Sequence, residues 1–274
     1  MTNEEFKQVY FNKENETLVT QNRQILNQHQ EQNFQEQEEN YILDSNDQIY
    51  KLDWNKEGAV TAVENQGDCG ASWAFAVKSQ IESLYYIQND GEIELTPLSA
   101  QQMIDCILPK KVACKGAPVH LAFFYTKQAG LQSAASYPYN SGNGQAQNCQ
   151  YDAKKVVFKP STYSHLFMGT DPEAIRKQVS KYPVVALVEA SNKIFQFYKS
   201  GVISSDFCGY ELDHAVVITG FDFKKSSYSV GSPYWIVKNS WGPDWGENGF
   251  ARILVSYSSP GVCGINQYTG YIRK

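Results

Sequence analysis

The sequence reads Asn65-Gln-Gly-Asp-Cys-Gly-Ala-Ser-Trp-Ala-Phe75 at the point where a glycine-rich turn gives way to a helix. Beyond Ser72, apolar residues recur at spacings of three and four, which predicts an amphipathic helix that ends before the turn signal Asn89-Asp90-Gly91. The recurring residues are Ala74, Val77, Ile81 and Leu84. Ser72 should therefore lie in the first helical turn, where free backbone N–H groups and the positive end of the helix dipole meet.

Two interpretations of Ser72 stay open on the local sequence. Serine is among the residues preferred at the N-cap of a helix, and a purely structural capping role is the more common one. The alternative is a nucleophile, because a thiolate at such a position would be stabilised and its pKa lowered.

Two further polar residues stand at the ends of predicted strands. His214 precedes the apolar run Ala215-Val-Val-Ile-Thr219, and Asn239 follows the run Tyr234-Trp-Ile-Val-Lys238. Taken singly, each is more typical of a structural residue. Taken with Ser72, they provide a nucleophile, a base and an orienting amide, each at the end of an element, which is the arrangement of a nucleophilic hydrolase.

The order of the predicted elements indicates an α+β protein with two lobes. Two more helices are predicted in the front half, over Ser99–Ile107 with Ser99 as N-cap and over Val119–Gln128. After about residue 160, short β-branched and aromatic runs replace the helical pattern, including one at Pro183–Val188.

Composition excludes several classes of function. The net charge is −5, and no basic stretch is dense enough to neutralise a run of phosphates, which argues against a nucleic-acid partner. No run of 18 apolar residues predicts a membrane span. The opening Met1–Phe11 is polar and acidic, unlike the apolar core of a signal peptide. Neither a metal nor a cofactor is expected, since no Cys-x-x-Cys pair or Cys/His cluster has ligand spacing.

The six cysteines are compatible with two redox states. They stand at positions 69, 106, 114, 149, 208 and 263. An even number fits three disulfides and an oxidising compartment, whereas six buried thiols would fit the cytosol, and composition alone does not decide between them. Residues 12–48 are rich in Gln, Asn and Glu, and this composition predicts a linker or a segment lying along another surface.

Several motifs together resemble the papain-like cysteine peptidases of the cathepsin L type. The stretch Asn65–Phe75 is similar to their nucleophile region. Asp213-His-Ala-Val216 is similar to their histidine region, and Lys238-Asn-Ser-Trp-Gly242 to their asparagine region. Leu98–Cys106 and Gly261–Ile265 resemble two more family segments. The resemblance covers residues 52–274 and implies a papain-like two-lobed fold, with a helical lobe, a β-barrel-like lobe and the active-site cleft between them.

The resemblance assigns the chemistry to four residues. Gln66 and the backbone N–H of residue 72 would form the oxyanion hole, His214 would be the general base and acid, and Asn239 would orient the imidazole beneath Trp241. It also implies the disulfides Cys69–Cys114, Cys106–Cys149 and Cys208–Cys263. The implied substrate-binding residues are Gly116, Ala117, Pro118, Val119, Ala190, Leu212, Asp213, Trp241 and Tyr268. The pocket next to the scissile bond would then be apolar and select Leu, Phe or Val.

The resemblance also implies a division of the chain and its partners. Residues 1–48 would be a remnant of an inhibitory propeptide with a linker, residues 49–165 the helical lobe and residues 166–274 the β-rich lobe. Met1–Phe6 is similar to the last segment of such propeptides, whose preceding helical part is missing. The expected partners are a peptide or protein in the cleft and the chain's own pro-segment, and the expected location is the secretory pathway, a lysosome-like compartment or the exterior.

Two positions depart from the family pattern. Ser72 stands where the family has its nucleophilic cysteine, and Ala117 replaces the second glycine of a Gly-Gly pair along the cleft. Three interpretations follow: a peptidase homologue that is inactive because of Ser72, an active cysteine endopeptidase proenzyme carrying an engineered Cys-to-Ser change, or a serine-nucleophile hydrolase on the papain frame.

Overall fold

The computed structural model describes residues 50–167, 171–204, 208–223 and 232–273. The pro-segment and linker predicted over residues 1–48 lie outside the described residues. Three helices come first, each where the sequence pattern predicts one: α1 (Ser72–Ile87), α2 (Ala100–Ile107) and α3 (Val119–Ala129). Two shorter helices follow, α4 (Pro172–Val179) and α5 (Lys193–Gln196).

The first turns of α1 and α2 are built differently. Ser99 caps α2 as predicted, because its side chain accepts a hydrogen bond from the backbone N–H of Gln102. The N-cap of α1 is Ala71, and no side chain caps this helix. Ser72 is the first residue of α1, so its interpretation as an N-cap residue is wrong.

A large sheet forms most of the second half of the chain. Its strands are β1 (Lys51–Asp53), β4 (Thr162–Phe167), β5 (Val184–Val188), β6 (Val202–Ile203), β7 (His214–Asp222), β8 (Tyr234–Lys238), β9 (Phe250–Leu254) and β10 (Tyr268–Arg273). The strand order is β4-β10-β5-β7-β8-β9-β6, with β1 also paired to β7. A small second sheet joins β2 (Leu131–Gln132) to β3 (Val156–Phe158). The boundary suggested between residues 165 and 166 falls inside β4, and the division into lobes at that point stays a prediction.

Strand β7 lies between two hydrophobic cores. Side chains alternate across a strand, and in β7 Ala215 and Val217 belong to the core built on the helices, whereas Val216 and Ile218 belong to the core of the β-rich part. Helix α1 packs directly against β7. The fold is therefore a two-lobed α+β architecture whose helical part meets the sheet at β7, the strand that begins with His214.

All six cysteines form disulfides, so the alternative of six free thiols is wrong. The pairs are Cys69–Cys114, Cys106–Cys149 and Cys208–Cys263. The first pair joins the turn before α1 to the loop that carries Gly116. Gly70 packs tightly in this turn, because a Cβ there would lie 2.9 Å from the carbonyl oxygen of Cys114.

Candidate active site

Ser72 and the start of β7 are in contact. The Ser72 hydroxyl oxygen accepts a hydrogen bond of 3.2 Å from the backbone N–H of Ala215, the residue after His214. The first turn of α1 and the first residues of β7 therefore meet where the helical part of the chain packs on the sheet. The structure brings together the two segments that the sequence predicts to carry a nucleophile and a base.

His214 and Asn239 form a hydrogen-bonded pair. His214 Nε2 lies 2.7 Å from Asn239 Oδ1, and the backbone N–H of Ser240 also donates to this oxygen at 2.7 Å. Because Ser240 N–H can only donate, it fixes which amide atom of Asn239 is the oxygen. Nε2 must then carry the proton, and in the neutral imidazole Nδ1 is left as the base.

Aromatic rings enclose His214 and remove it from water. The centroid of Trp241 lies 4.7 Å from that of His214, and Phe195 packs edge-on against both rings. His214 is only 3% exposed. Burial lowers its pKa to about 4, although the hydrogen bond to Asn239 opposes this change. The imidazole is therefore neutral at pH 7.

Gln66 is held in one orientation by its neighbours. The Ser240 hydroxyl donates to Gln66 Oε1 at 2.7 Å, and Gln66 Nε2 donates to the carbonyl oxygen of Cys69 at 2.9 Å. An amide nitrogen carries two hydrogens, so one remains for another acceptor. Ser240 thus orients both Gln66 and Asn239. Sequence analysis missed this role, although Ser240 stands inside the quoted asparagine motif.

The predicted substrate-binding residues fall on two sides of this centre. Gly116 has φ 99°, in the region that favours glycine, and it leads through Ala117 to Pro118, the N-cap of α3. Val119 and Tyr268 are buried in the core built on the helices, and Ala117 and Leu212 are partly buried against that core. Three of the residues predicted to line the apolar pocket therefore belong to one cluster, namely Val119, Leu212 and Tyr268.

Asp213 joins Ala190, which is also predicted to line the pocket, to the His214 segment. Its carboxylate accepts hydrogen bonds from the backbone N–H groups of Ala190 at 2.7 Å and Ser191 at 3.1 Å. Burial raises the pKa of Asp213 to about 7 despite these bonds. A buried acid and a buried base thus follow one another in the chain. Within the described ranges, no three His, Cys, Asp or Glu side chains are grouped so that they could hold a metal ion.

Buried charges lie on the inner side of the site. Lys78 is fully buried on α1 and pairs with Glu82 at 2.7 Å and with Glu64. Lys238, which immediately precedes Asn239, donates to Thr61 at 2.9 Å and to Ser79 at 3.3 Å. Sequence analysis missed this cluster too. The available signal was a lysine at the end of an otherwise apolar strand.

Acidification should destabilise the native protein through His214. Its pKa is about 4 when folded and 6.5 as the ordinary value, so the unfolded chain binds more protons between these limits and stability falls as pH drops through them. The loss corresponds to about 3 kcal/mol. Asp213 acts oppositely, because its raised pKa makes the native state bind more protons below pH 7.

A variant isolates the contribution of His214 from that of Asp213. Urea denaturation measures the unfolding free energy at each pH. Between pH 6.5 and pH 4, this free energy should fall by about 3 kcal/mol less in His214→Gln than in the wild type. Asp213→Asn should change the pH dependence in the other direction. Identical pH dependence of wild type and His214→Gln would contradict the burial of a neutral imidazole.

Comparison with known proteins places this constellation in a family. The family model described as papain family cysteine protease matches residues 50–272. The chain belongs to the papain family of cysteine proteases. Its relatives in this family include cysteine endopeptidase RepA of Oryza sativa subsp. japonica, 36% identical over 223 residues. That match covers 80% of this chain and 56% of RepA, so the chain spans little more than half the length of this relative.

Solved structures of papain family members show the same fold. The bromelain protease of Ananas comosus, in complex with the inhibitor E64, superposes with a TM-score of 0.72 at 38% identity and covers 82% of this chain and 99% of its own. The digestive procathepsin L2 proteinase of Tenebrio molitor gives 0.74 at 33% identity, covering 84% of this chain and 70% of its own. The papain-like two-lobed fold predicted from the motifs is confirmed. In the described ranges, no helix is both long and apolar enough to cross a membrane.

Proposed function

We propose that the protein binds peptides in a papain-type cleft and hydrolyses them negligibly, because Ser72 occupies the position of the family's nucleophilic cysteine. The observation that carries the proposal is the contact between Ser72 and the first residues of β7, beside the His214–Asn239 pair. The cysteine peptidases use a thiolate formed before substrate arrives. A hydroxyl beside a neutral imidazole does not ionise near pH 7, so the charged pair is missing.

The machinery around Ser72 supports a cleft that was built for peptide chemistry. Gln66 retains one amide hydrogen for an oxyanion, Asn239 holds the protonated Nε2 of His214, and Trp241 covers the pair. The intact surroundings equally support the alternative of an active cysteine endopeptidase in which Cys was changed to Ser. Ala117 supports natural loss of activity, because a methyl group along the cleft restricts the close approach of a substrate backbone.

A serine-nucleophile hydrolase is the second candidate function. It is favoured by the neutral His214, whose unprotonated Nδ1 is the general base that a serine nucleophile requires. Against it stands the geometry of the frame, since a site set for sulfur misplaces a shorter nucleophile and about 1 Å of misplacement costs roughly a hundredfold.

Peptide binding without turnover is the expected result for the unmodified protein. Fluorescent peptides with Leu or Phe at the apolar pocket should bind more tightly than peptides with Arg, by about tenfold or more, because Val119, Leu212 and Tyr268 leave a buried charge without a partner. Calorimetry measures the affinities, and mass spectrometry of the mixtures measures cleavage. Tighter binding of the Arg peptide would contradict the pocket assignment.

Turnover in the same mixtures separates the two candidate functions. Substantial cleavage by the unmodified protein that disappears in His214→Ala would establish the serine hydrolase and overturn the primary proposal. Intact peptides in both samples would support it.

We infer an oxidising compartment for the protein, in the secretory pathway, a lysosome-like organelle or the exterior, because all six cysteines are paired. We also infer that residues 1–48 act as the chain's own pro-segment, on the basis of the resemblance of Met1–Phe6. Proform structures are known among its relatives, for example that of the Amb a 11 cysteine protease.

A further inference from the structure

A small cavity lies beside Asn239 of the His214–Asn239 pair. It is bounded by α1, β7 and the end of β8, and its volume of about 10 Å³ is room for about one water molecule. Five polar residues line it, together with apolar residues such as Ala76: Glu64, Ser79, Lys238, Asn239 and Ser240. The polar lining makes the cavity suited to a water molecule, because empty cavities in proteins are typically apolar.

Asn239 brings an unsatisfied donor to this cavity. Its Oδ1 accepts hydrogen bonds from His214 and from the backbone of Ser240. Its Nδ2 has no hydrogen-bond partner in the part of the chain that the structure describes, although Asn239 is only 3% exposed. A buried donor left unpaired is costly, so this amide calls for an acceptor in the space that Asn239 lines.

Lys238 brings a second donor and Glu64 an acceptor. The Lys238 ammonium has three hydrogens, and two of them are directed to Thr61 and Ser79. Glu64 is drawn to the same place by its ion pair with Lys78. A water molecule can accept two hydrogen bonds and donate two. A water molecule therefore matches two donors and a carboxylate, whereas Asn239 Nδ2 and Lys238 Nζ are both donors and cannot bond to each other.

We propose that one ordered water molecule occupies this cavity and links Asn239 to Lys238 and Glu64, which makes Lys238 a positioning residue for Asn239. The inference rests on the proposed function in that Asn239 orients His214. The water fixes the free end of the Asn239 side chain, while Ser240 fixes its oxygen. Through Thr61 and Ser79 the same link anchors the end of β8 to the helical part of the chain.

The tautomer of His214 is a readout that a merely structural role of Lys238 would not change. Imidazole ¹⁵N chemical shifts at pH 7 distinguish a proton on Nε2 from one on Nδ1. In the full unmodified chain, His214 should carry its proton on Nε2. In Lys238→Met the donor to the water is lost, Asn239 is held less firmly, and the spectrum should show a mixture of both tautomers.

A matched variant removes the same charge but keeps a donor. Lys238→Gln should retain most of the Nε2–H tautomer, so that the difference between the Gln and Met variants reports hydrogen bonding and not charge. Ala76→Val leaves every charge in place but fills the cavity, and it should produce the same mixture as Lys238→Met. An unchanged tautomer in both Lys238→Met and Ala76→Val would overturn the positioning role.

A crystal structure of the full chain tests the water molecule itself. A single solvent peak within hydrogen-bond distance of Asn239 Nδ2 and Glu64 is expected, and it should be absent in Ala76→Val. An empty cavity in well-ordered density would overturn the proposal even if Lys238→Met will not fold. Neither readout depends on turnover, so a failure here is distinct from a failure of the proposed peptide binding.

Discussion

Replacing Ser72 with cysteine is expected to produce a reactive thiol and an active peptidase. The thiol would lie at the first residue of α1, next to the segment of His214. The helix dipole, and the imidazolium formed when His214 accepts the thiol proton, would lower the thiol pKa below the ordinary value of about 8.5. Iodoacetamide should then alkylate it rapidly at neutral pH. Loss of the nucleophile in a serine protease costs about 10⁶-fold in kcat, so the gain in kcat should approach that order.

Alkylation and cleavage, measured together on Ser72→Cys, distinguish the causes that the proposed inactivity could have. In Ser72→Cys, His214 Nδ1 would take the thiol proton, and the thiolate would attack the peptide carbonyl. The imidazolium would give that proton to the leaving amine as the C–N bond breaks, and water would hydrolyse the thioester. Rapid alkylation with efficient cleavage of Leu or Phe peptides would favour an engineered Cys-to-Ser change. Rapid alkylation without cleavage would place the defect in the cleft, where Ala117→Gly should then restore activity. The matched control is Ser72→Cys with His214→Ala, in which alkylation should be slow.

Removal of Lys78 is expected to cause the largest loss of stability. Burial disfavours the charge of Lys78, but Glu82 and Glu64 together raise its pKa above the ordinary value. Lys78→Met has a similar shape and leaves the fully buried Glu82 carboxylate without its 2.7 Å partner. Breaking a buried ion pair in this way costs about 3–5 kcal/mol. Urea denaturation at pH 7 measures the loss.

Two controls separate the buried pair from charge loss in general. Lys51→Met removes an exposed lysine that lies 3.6 Å from Asp222 and should cost less than about 1 kcal/mol. The double variant Lys78→Met with Glu82→Gln should be more stable than Lys78→Met alone, because the unpaired charge is gone. Equal stabilities of Lys78→Met and Lys51→Met would contradict the expectation that an unpaired Glu82 carboxylate causes the loss of stability in Lys78→Met.

Most of the helices were predicted correctly because their sequence patterns arise from contacts between residues close together in the chain. The spacing of Ala74, Val77 and Ile81 identified α1, and the capping preference of Ser99 located α2. The assignment of Ser72 as an N-cap residue was the local interpretation that failed. The failure has a physical reason: Ala71 takes the N-cap position, and Ser72 is already the first helical residue, so its side chain makes no cap bond.

The parts of the site that the sequence did not predict depend on contacts between distant segments. Ser240 orients Gln66 across 174 residues, and Lys238 meets Thr61 across 177. No local periodicity encodes such contacts. The predicted roles of Gln66, His214 and Asn239 remain proposals. The structure supplies the reason why His214 has its proton on Nε2, namely the backbone N–H of Ser240.

The uncapped start of α1 has an evolutionary consequence. The side chain of residue 72 contributes no capping bond to its helix and accepts one hydrogen bond, from the backbone N–H of Ala215. A cysteine sulfur can also accept this bond, so selection for folding does not separate serine from cysteine there. Most serine codons differ from a cysteine codon by one nucleotide. A lineage with this scaffold can therefore cross between a catalytic and a non-catalytic state in one mutational step, in either direction, while the rest of the chain keeps the surroundings that either residue would use.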